Sequence, residues 1–320
     1  MNTALEKPAF HYADHRLELT AGTRFGNQSA GQFLDTFRQS RKNRYLLLQN
    51  HQLERNHVPV RSLEEIIQPQ DLLSITCPSQ PLGFLPAEKP CPVVYEDDLV
   101  YVAHKDAHRI IHGGPQDTDC LAAQAAAWQL QKGIDYPVRY IHRLDEGTQG
   151  LVLFVKFPFF QPWFDAMLES KQIQRHYLAI TTGSARPGQK FTFRQPIGRD
   201  RHVSGRYRIS PTGKEACTLA ECIAAENSYL EFSCRLETGR THQIRVHLSA
   251  SGFPIVNDPL YGVPSQMFRE MGLWADQIIF PDPITGEMHS VHDLDNPDFH
   301  CFPKKTAAIM KSRTTKEAAQ

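Results

Sequence analysis

Five prolines fall between Cys77 and Pro92, in CPSQPLGFLPAEKPCP. Proline removes a backbone donor, fixes φ and pushes the preceding residue toward extended conformations. Neither a helix nor a sheet ladder runs through such a stretch, so the chain divides there. The expected parts are a first unit over 1–77, a linker over 78–90 and a larger second unit over 91–320. A length of 320 residues agrees with about two domains.

The first unit reads as helix, helix, strand. GQFLDTFRQS (31–40) and KNRYLLLQNHQL (42–53) have the look of short helices, followed by extended VPV and a final LLSIT strand. This unit is basic. From 24 to 61, Arg24, Arg38, Arg41, Lys42, Arg44, Arg55 and Arg61 face only Asp35 and Glu54. A second basic run at 194–214 sets Arg194, Arg199, Arg201, Arg206, Arg208 and Lys214 against Asp200. The balancing acid lies in 281–300, with Asp282, Glu287, Asp293, Asp295 and Asp298 and no Lys or Arg. The formal net charge of zero therefore hides a segregated distribution, and steering depends on the local field. Each run taken alone is equally compatible with a plain solvated face.

The second unit is strand-rich. PVVYEDDLVYV places two apolar clusters around an acidic turn, and LVLFV (151–155) is the continuous apolar run of a buried strand. Tyr177–Ile180 is a short β-prone run. Leu230, Phe232, Cys234 and Leu236 alternate with Glu231, Ser233 and Arg235, the period of a half-buried strand. Helices are expected at 121–131 and 161–171. Strands and helices mixed without regular βαβ spacing predict an α+β fold with a central mixed, largely antiparallel sheet, plus the small N-terminal α/β unit.

Composition narrows the function classes. With 41% hydrophobic and 22% charged residues, the chain is neither disordered nor fibrous. No segment approaches the roughly 18 consecutive apolar residues of a membrane helix, and the first twenty residues lack the pattern of a secretory signal. The seven cysteines are odd in number and never spaced CxxC, so a reducing cytoplasm is the expected setting. His108 and His112 are four apart in a strand-like HRIIH without a matching carboxylate, and His242 and His247 are five apart. No metal site is expected from either pair.

Two stretches could carry chemistry. The first is His142-Arg143-Leu144-Asp145-Glu146-Gly147-Thr148-Gln149-Gly150, directly before the LVLFV strand. An Asp beside an Arg is ordinarily a surface pair of small worth. Between two glycines and a buried strand, however, Asp145 can be held partly desolvated with a cationic partner, as a carboxylate nucleophile requires. The second is LETGRTHQIRVHL (236–248). Thr238-Gly239 signals a turn, Thr241 is a plausible cap, and Ile244 and Leu248 share one helical face beside Arg245. A surface helix with solvated arginines is the plainer reading of this stretch in isolation.

Taken together and in order, HRLD-xx-T-x-GL, Tyr177 in HYLAI, TGRTHQIRVHL, and GFPIVNDPLYG (252–262) resemble the RluA-type family of RNA pseudouridine synthases. The resemblance runs from about Pro92 to Phe302. It takes in the VVYEDDLVYVAHKDAHRIIH opening, Pro196-Ile-Gly-Arg199 and Gly213-Lys214. The first unit resembles, more distantly, the RNA-binding module of small-subunit ribosomal protein four, through its helix–helix–strand order and IQPQDLLSI. In that module a Gly more often precedes the Asp.

The resemblance implies roles. Asp145 matches the catalytic aspartate that attacks the target uridine, at the sugar or at the ring. Tyr177 matches the tyrosine that stacks on the base and helps remove the proton from the new carbon–carbon product. Arg245 matches the basic partner of the aspartate. Substrate contacts are implied for Arg143, which resembles an arginine that helps flip the nucleotide out, and for Arg240, His242 and Leu248. The implied partner is RNA, ribosomal in preference to transfer, with no cofactor, metal or membrane and a monomer as default. The 194–214 run, with Tyr207 interleaved, would serve as an RNA clamp. Departures from the family pattern mark a divergent subgroup: Gln149 for Ser, Asn257 for Gly before Asp258, Asp106 for Pro after Lys105, no Pro after His112, and Trp274 for His. Two rival readings stand beside this one. One is a catalytically faded RNA-binding or ribosome-assembly factor on the same fold. The other is a glycosylase or nucleoside hydrolase that releases free base.

Overall fold

The computed structural model describes residues 10–114, 116–293, 296 and 299. The first nine residues, the segment 301–320 with Cys301, and Asp295 and Asp298 of the acidic run lie outside the described residues.

The N-terminal sheet has five antiparallel strands in the order Phe10–Ala13, Arg16–Thr20, Leu72–Thr76, Leu53–Arg55, Val58–Pro59. Its first hairpin was not expected from sequence. The turn is Asp14-His15, both at positive φ (48° and 64°), and it lacks the Gly that usually announces a two-residue hairpin. The two helices form at Ala30–Thr36 and Arg41–Gln49. Ser29 and Gln32 make a reciprocal capping box, and Ser40 caps the second helix through the Asn43 amide. The first helix stops earlier than its pattern suggests because Arg38 turns left-handed, at φ 58°.

The central sheet has ten strands. Eight run in the order Lys190–Phe193, Thr218–Glu226, Tyr229–Leu236, Gln174–Thr182, Leu273–Pro281, Gln149–Val155, Val100–Lys105, Val93–Glu96. Arg139–Tyr140 and Met288–His292 pair off this path. Among the described residues every pairing is antiparallel except Gln149–Val155 with Leu273–Pro281, which is parallel. The fold is α+β, with a mixed and largely antiparallel sheet. The sheet is covered on both faces. Val152 and Phe154 enter the core under helices Leu121–Gln131 and Gln243–Ala250, whereas Leu151, Leu153 and Val155 enter the core on the other side. This explains one departure from simple alternation: Glu231, expected to face water, is fully buried.

That second core does not stop at the sheet. It runs without a break into Leu17, Phe25, Phe33, Phe37, Leu73 and Ile75 of the N-terminal unit. Phe37 packs against Phe159 and Phe160 at 5.2 and 5.3 Å between ring centroids, and Tyr12 meets Phe157 at 5.2 Å. The Gln39 side chain donates to the Phe159 carbonyl at 2.6 Å. The proline-rich segment has no regular structure but is tied down, through Gln80 to Asp135, Leu82 to Val138 and Ala87 to Ala123 backbone bonds.

Other expectations need correction. HRIIH is a turn leading into a single bridge, Ile110 with Cys120, rather than a strand. Its two histidines therefore do not lie along one extended run. The acidic run is not a solvated face throughout: Asp282 and Asp293 are buried, the first accepting from the Ile284 and Thr285 amides and the second from the Trp274 indole. Among the described residues no helix is long and apolar enough to cross a membrane.

Candidate active site

The loop His142–Thr148 joins strand Arg139–Tyr140 to strand Gln149–Val155. It is pinned from below at alternate residues. His142 is buried and its Nε2 accepts from the Leu153 amide at 3.3 Å, while Leu144 enters the core. Burial pushes the His142 imidazole down to about 3, so the ring is neutral. Arg143 is exposed and Asp145 half-buried, both facing a cleft. The loop closes where the Thr148 amide donates to the Asp145 carbonyl at 3.0 Å. Gly150 then takes φ 111° beside strand Leu273–Pro281, where a Cβ would stand 2.3 Å from the Ala275 carbonyl oxygen. Only glycine permits that parallel pairing.

A fully buried lysine holds the loop from the other side. Lys105 Nζ donates to the carbonyls of Asp106, Arg109 and Glu146 at 2.9, 2.6 and 2.8 Å. Burial lowers its ammonium to about 8, against the opposing pull of Asp145.

Arg245 approaches Asp145 from helix Gln243–Ala250. The expected cap at Thr241 is not used; His242 occupies the N-cap with a left-handed backbone, φ 57°. The buried Gln243 fixes the turn before it, accepting from the Thr238 hydroxyl and the Arg240 amide and donating to the Cys217 carbonyl and Thr218 hydroxyl. The Arg245 guanidinium is forked onto Asp258, with Nε to Oδ2 at 2.8 Å and Nη2 to Oδ1 at 2.9 Å. Its remaining Nη1 donates to Asp145 Oδ2 at 3.1 Å. The Arg245 and Asp258 side chains are 5% and 0% exposed, and Asp145 is 24% exposed. Burial disfavours the cation, but the hydrogen bonds and charges of Asp258 and Asp145 outweigh it and raise Arg245. Below, the Tyr261 ring lies 5.1 Å from the guanidinium carbon, and its hydroxyl pairs with His242 Nδ1 at 2.8 Å.

Tyr177 completes the floor. It is 4% exposed, sits at an irregularity between His176 and Leu178 in the strand pairing, and lines the same cleft. Burial raises its phenol, with Arg175 pulling the other way. The cleft has a volume of about 1160 Å³. That lies just above the roughly 300–1,000 Å³ of small-molecule pockets.

The structure thus gathers Asp145, Tyr177, Arg245, Arg143, Arg240 and His242 around one cleft. Leu248 is not with them: it is fully buried in the core beneath the helix, where it packs rather than binds. Asp258 and Lys105, recognisable as motif positions, gain their roles only through contacts 13 and 41 residues away in the chain. Asn257 adopts a left-handed φ of 55°, which accounts for its standing in a glycine's place. Its side chain also ties the next loop, accepting from the Ser265 amide and donating to the Phe268 carbonyl. Among the described residues no group of three or more His, Cys, Asp or Glu could share a metal ion.

Residues 99–250 match the family model described as RNA pseudouridylate synthase. A protein of Synechocystis, named an uncharacterized RNA pseudouridine synthase, is 31% identical over 291 residues, 86% of each chain. The chain belongs to the RNA pseudouridine synthase family. A similarly named Bacillus subtilis protein is 36% identical over 61% of this chain and 66% of its own length, so that alignment spans just under two thirds of the relative. The ribosomal large subunit pseudouridine synthase D of Xanthomonas campestris is 32% identical over 63% of this chain and 65% of its own. Human RNA Pseudouridylate Synthase Domain Containing 4 shares the fold, with a TM-score of 0.55 over 65% of this chain and 90% of that one at 20% identity. Pseudouridine synthases are isomerases that convert uridine to pseudouridine in RNA.

Proposed function

We propose that this chain isomerises uridines within RNA to pseudouridine, with Asp145 as nucleophile. The observation that carries this reading is the Asp145–Arg245 contact of 3.1 Å in a cleft of about 1160 Å³, beside the buried Tyr177. A uridine flipped from its stack, at a cost of a few kcal/mol, would lay its base on the Tyr177 ring. An Asp145 oxygen then attacks, the N-glycosidic bond breaks, the base turns and its C5 bonds to C1′. The bond to the Asp145 oxygen breaks and frees the carboxylate, and as C5 loses its proton, with help from the Tyr177 hydroxyl, N1 takes one up in place of the broken glycosidic bond. Every atom is conserved, so the reaction consumes no oxidant or reductant. Arg245, immobilised by Asp258, orients the carboxylate throughout.

Ribosomal RNA is the substrate we favour, supported by the names of the ribosomal large subunit relatives at about 32% identity. Residues 1–77 serve as an RNA-binding module, 78–90 as a fixed connector and 91–320 as the catalytic domain of a cytoplasmic monomer. Two surfaces support RNA binding. Helix Arg41–Gln49 exposes Arg41, Lys42 and Tyr45. The hairpin of Ile197–Arg199 and Tyr207–Ile209 exposes Arg199, Arg201 and Arg208, and is joined to the cleft where the Tyr207 amide donates to the Tyr261 hydroxyl at 2.7 Å.

The test is to incubate wild type and Asp145→Asn with total RNA lacking pseudouridine, then map sites by carbodiimide labelling and reverse-transcription stops. Stops with wild type alone are expected. Stops with Asp145→Asn would remove the nucleophile from this aspartate. RNA binding without stops would support the faded-enzyme reading, and release of free uracil the glycosylase reading.

A further inference from the structure

The cations around the cleft differ in what already holds them. Arg245 is committed to two carboxylates, and Arg240 Nε donates to the Glu215 carbonyl. Glu237, on the cleft wall, is taken by Lys171 and Arg235 at 3.7 and 3.1 Å. Arg143 also makes no ion pair among the described residues but is exposed, whereas Arg175 is half-buried. It lies two residues before Tyr177 on strand Gln174–Thr182 and lines the same cleft. Among the described residues it makes no ion pair, and its Nε is buried without a hydrogen-bond partner.

Arg175 is not a loose surface side chain. Its guanidinium lies across the bare backbone of Gly239, in the turn before the Arg245 helix. A Cβ added to Gly239 would meet Nη1, Nη2 and Cζ at 3.2, 3.4 and 3.7 Å. Gly239 is not at positive φ, so what a side chain would disturb there is the guanidinium it faces. Placing a cation in a partly buried position without an anion is unfavourable, and a group left in that state is compensated when its ligand arrives. The planar fork suits a phosphodiester, which it can grip through two donors.

We propose that Arg175 is a preformed clamp for a backbone phosphate of the RNA strand whose base reaches Tyr177, with Gly239 kept bare to seat it. This deepens the reading above and rests on RNA being the substrate.

The experiment measures RNA affinity across a salt series for wild type, Arg175→Gln, Arg175→Lys and Gly239→Ala, with product formation scored separately. Loss of one phosphate contact should make the slope of log K against log salt shallower by about 0.7–0.9 for Arg175→Gln. Affinity should fall about ten-fold, as for one charge-assisted hydrogen bond. Arg175→Lys should retain the slope but bind more weakly, because the charge stays and the fork is lost. Gly239→Ala should weaken binding in part, and add nothing when combined with Arg175→Gln. A merely structural arginine would lower the melting temperature and leave the salt slope alone. Unchanged slope and affinity in Arg175→Gln overturn the clamp whether or not wild type makes pseudouridine. A shallower slope in Arg175→Gln without product from wild type leaves the clamp standing and overturns the isomerase reading instead.

Discussion

Asp145 and Asp258 both touch the Arg245 guanidinium, yet replacing each with asparagine should have very different effects. Asp258 accepts four hydrogen bonds: from Arg245 Nε and Nη2 at 2.8 and 2.9 Å, and from the Leu260 and Tyr261 amides at 2.9 and 3.2 Å. An amide in its place keeps one acceptor oxygen. Its NH2 takes either the Oδ2 place, facing Nε, or the Oδ1 place, facing Nη2 together with the two backbone amides, so at least one charge-assisted bond worth about 1.5–3 kcal/mol is lost. The buried cation also loses its principal counter-charge. Breaking a buried pair costs about 3–5 kcal/mol, and the surviving contact to Asp145 places this case near 3. Asp145, by contrast, is 24% exposed and accepts one 3.1 Å bond that an amide oxygen can still accept. Its replacement should cost less than about 1 kcal/mol. Urea unfolding of wild type, Asp145→Asn and Asp258→Asn measures the difference directly, and both variants should fail to make pseudouridine. Equal stability of the two variants would refute the division of labour in which Asp258 anchors the arginine and Asp145 is left free to react.

Three further outcomes are expected. Phe37→Ala should destabilise the protein by about 3–5 kcal/mol in urea while leaving one cooperative transition, since Phe37 sits in a core common to both sheets; separate unfolding of the two units would count against a shared core. His142 stays neutral when folded down to about pH 3, whereas an unfolded histidine takes up its proton near pH 6.5. Stability should therefore fall as pH drops below about 6.5, by about 1.4 kcal/mol per unit from this group, with lowered His242 and His247 adding and raised His289 opposing. His142→Gln should flatten the profile between pH 6.5 and 5, and a slope identical to wild type would exclude His142 as its source. Arg41→Glu with Lys42→Glu should make the salt dependence of RNA binding shallower by about 1.5 units without shifting the melting temperature, and unchanged binding would exclude this helix from the RNA surface.

Motif residues were legible in sequence through their order and spacing, which resemble those of a known family. Alone, the Asp145 loop offered only two glycines and a following strand, and the Arg245 stretch read more plainly as a surface helix. What escaped depends on distant contacts. Nothing near Asp258 says that it grips an arginine 13 residues earlier. Arg175 acquires its setting from Gly239, and Leu248 sits on the buried side of the helix whose preceding turn carries the cleft residues Arg240 and His242. The N-terminal hairpin was hidden because Asp14 and His15 make the turn without glycine. The α+β class followed from strand period and order, but the parallel pairing of Gln149–Val155 with Leu273–Pro281 links segments more than a hundred residues apart, where no local pattern reaches.

If Arg41 and Lys42 grip RNA on which Asp145 acts, as proposed, the unbroken packing from Phe33 and Phe37 into Phe159 and Phe160 bears on how target sites are chosen. A reader on a flexible tether samples many separations, and selects only by the strength of its grip. Here the span from Arg41 and Lys42 to Asp145 is cast into the body of the protein, like the jaws of a caliper set to one gauge. An RNA touching both would then have to hold its two features at that distance. One whose features are spaced differently would be turned away although every single contact remains available to it. Selection of this kind resides in the stiffness of an apolar seam and needs no base-specific bond.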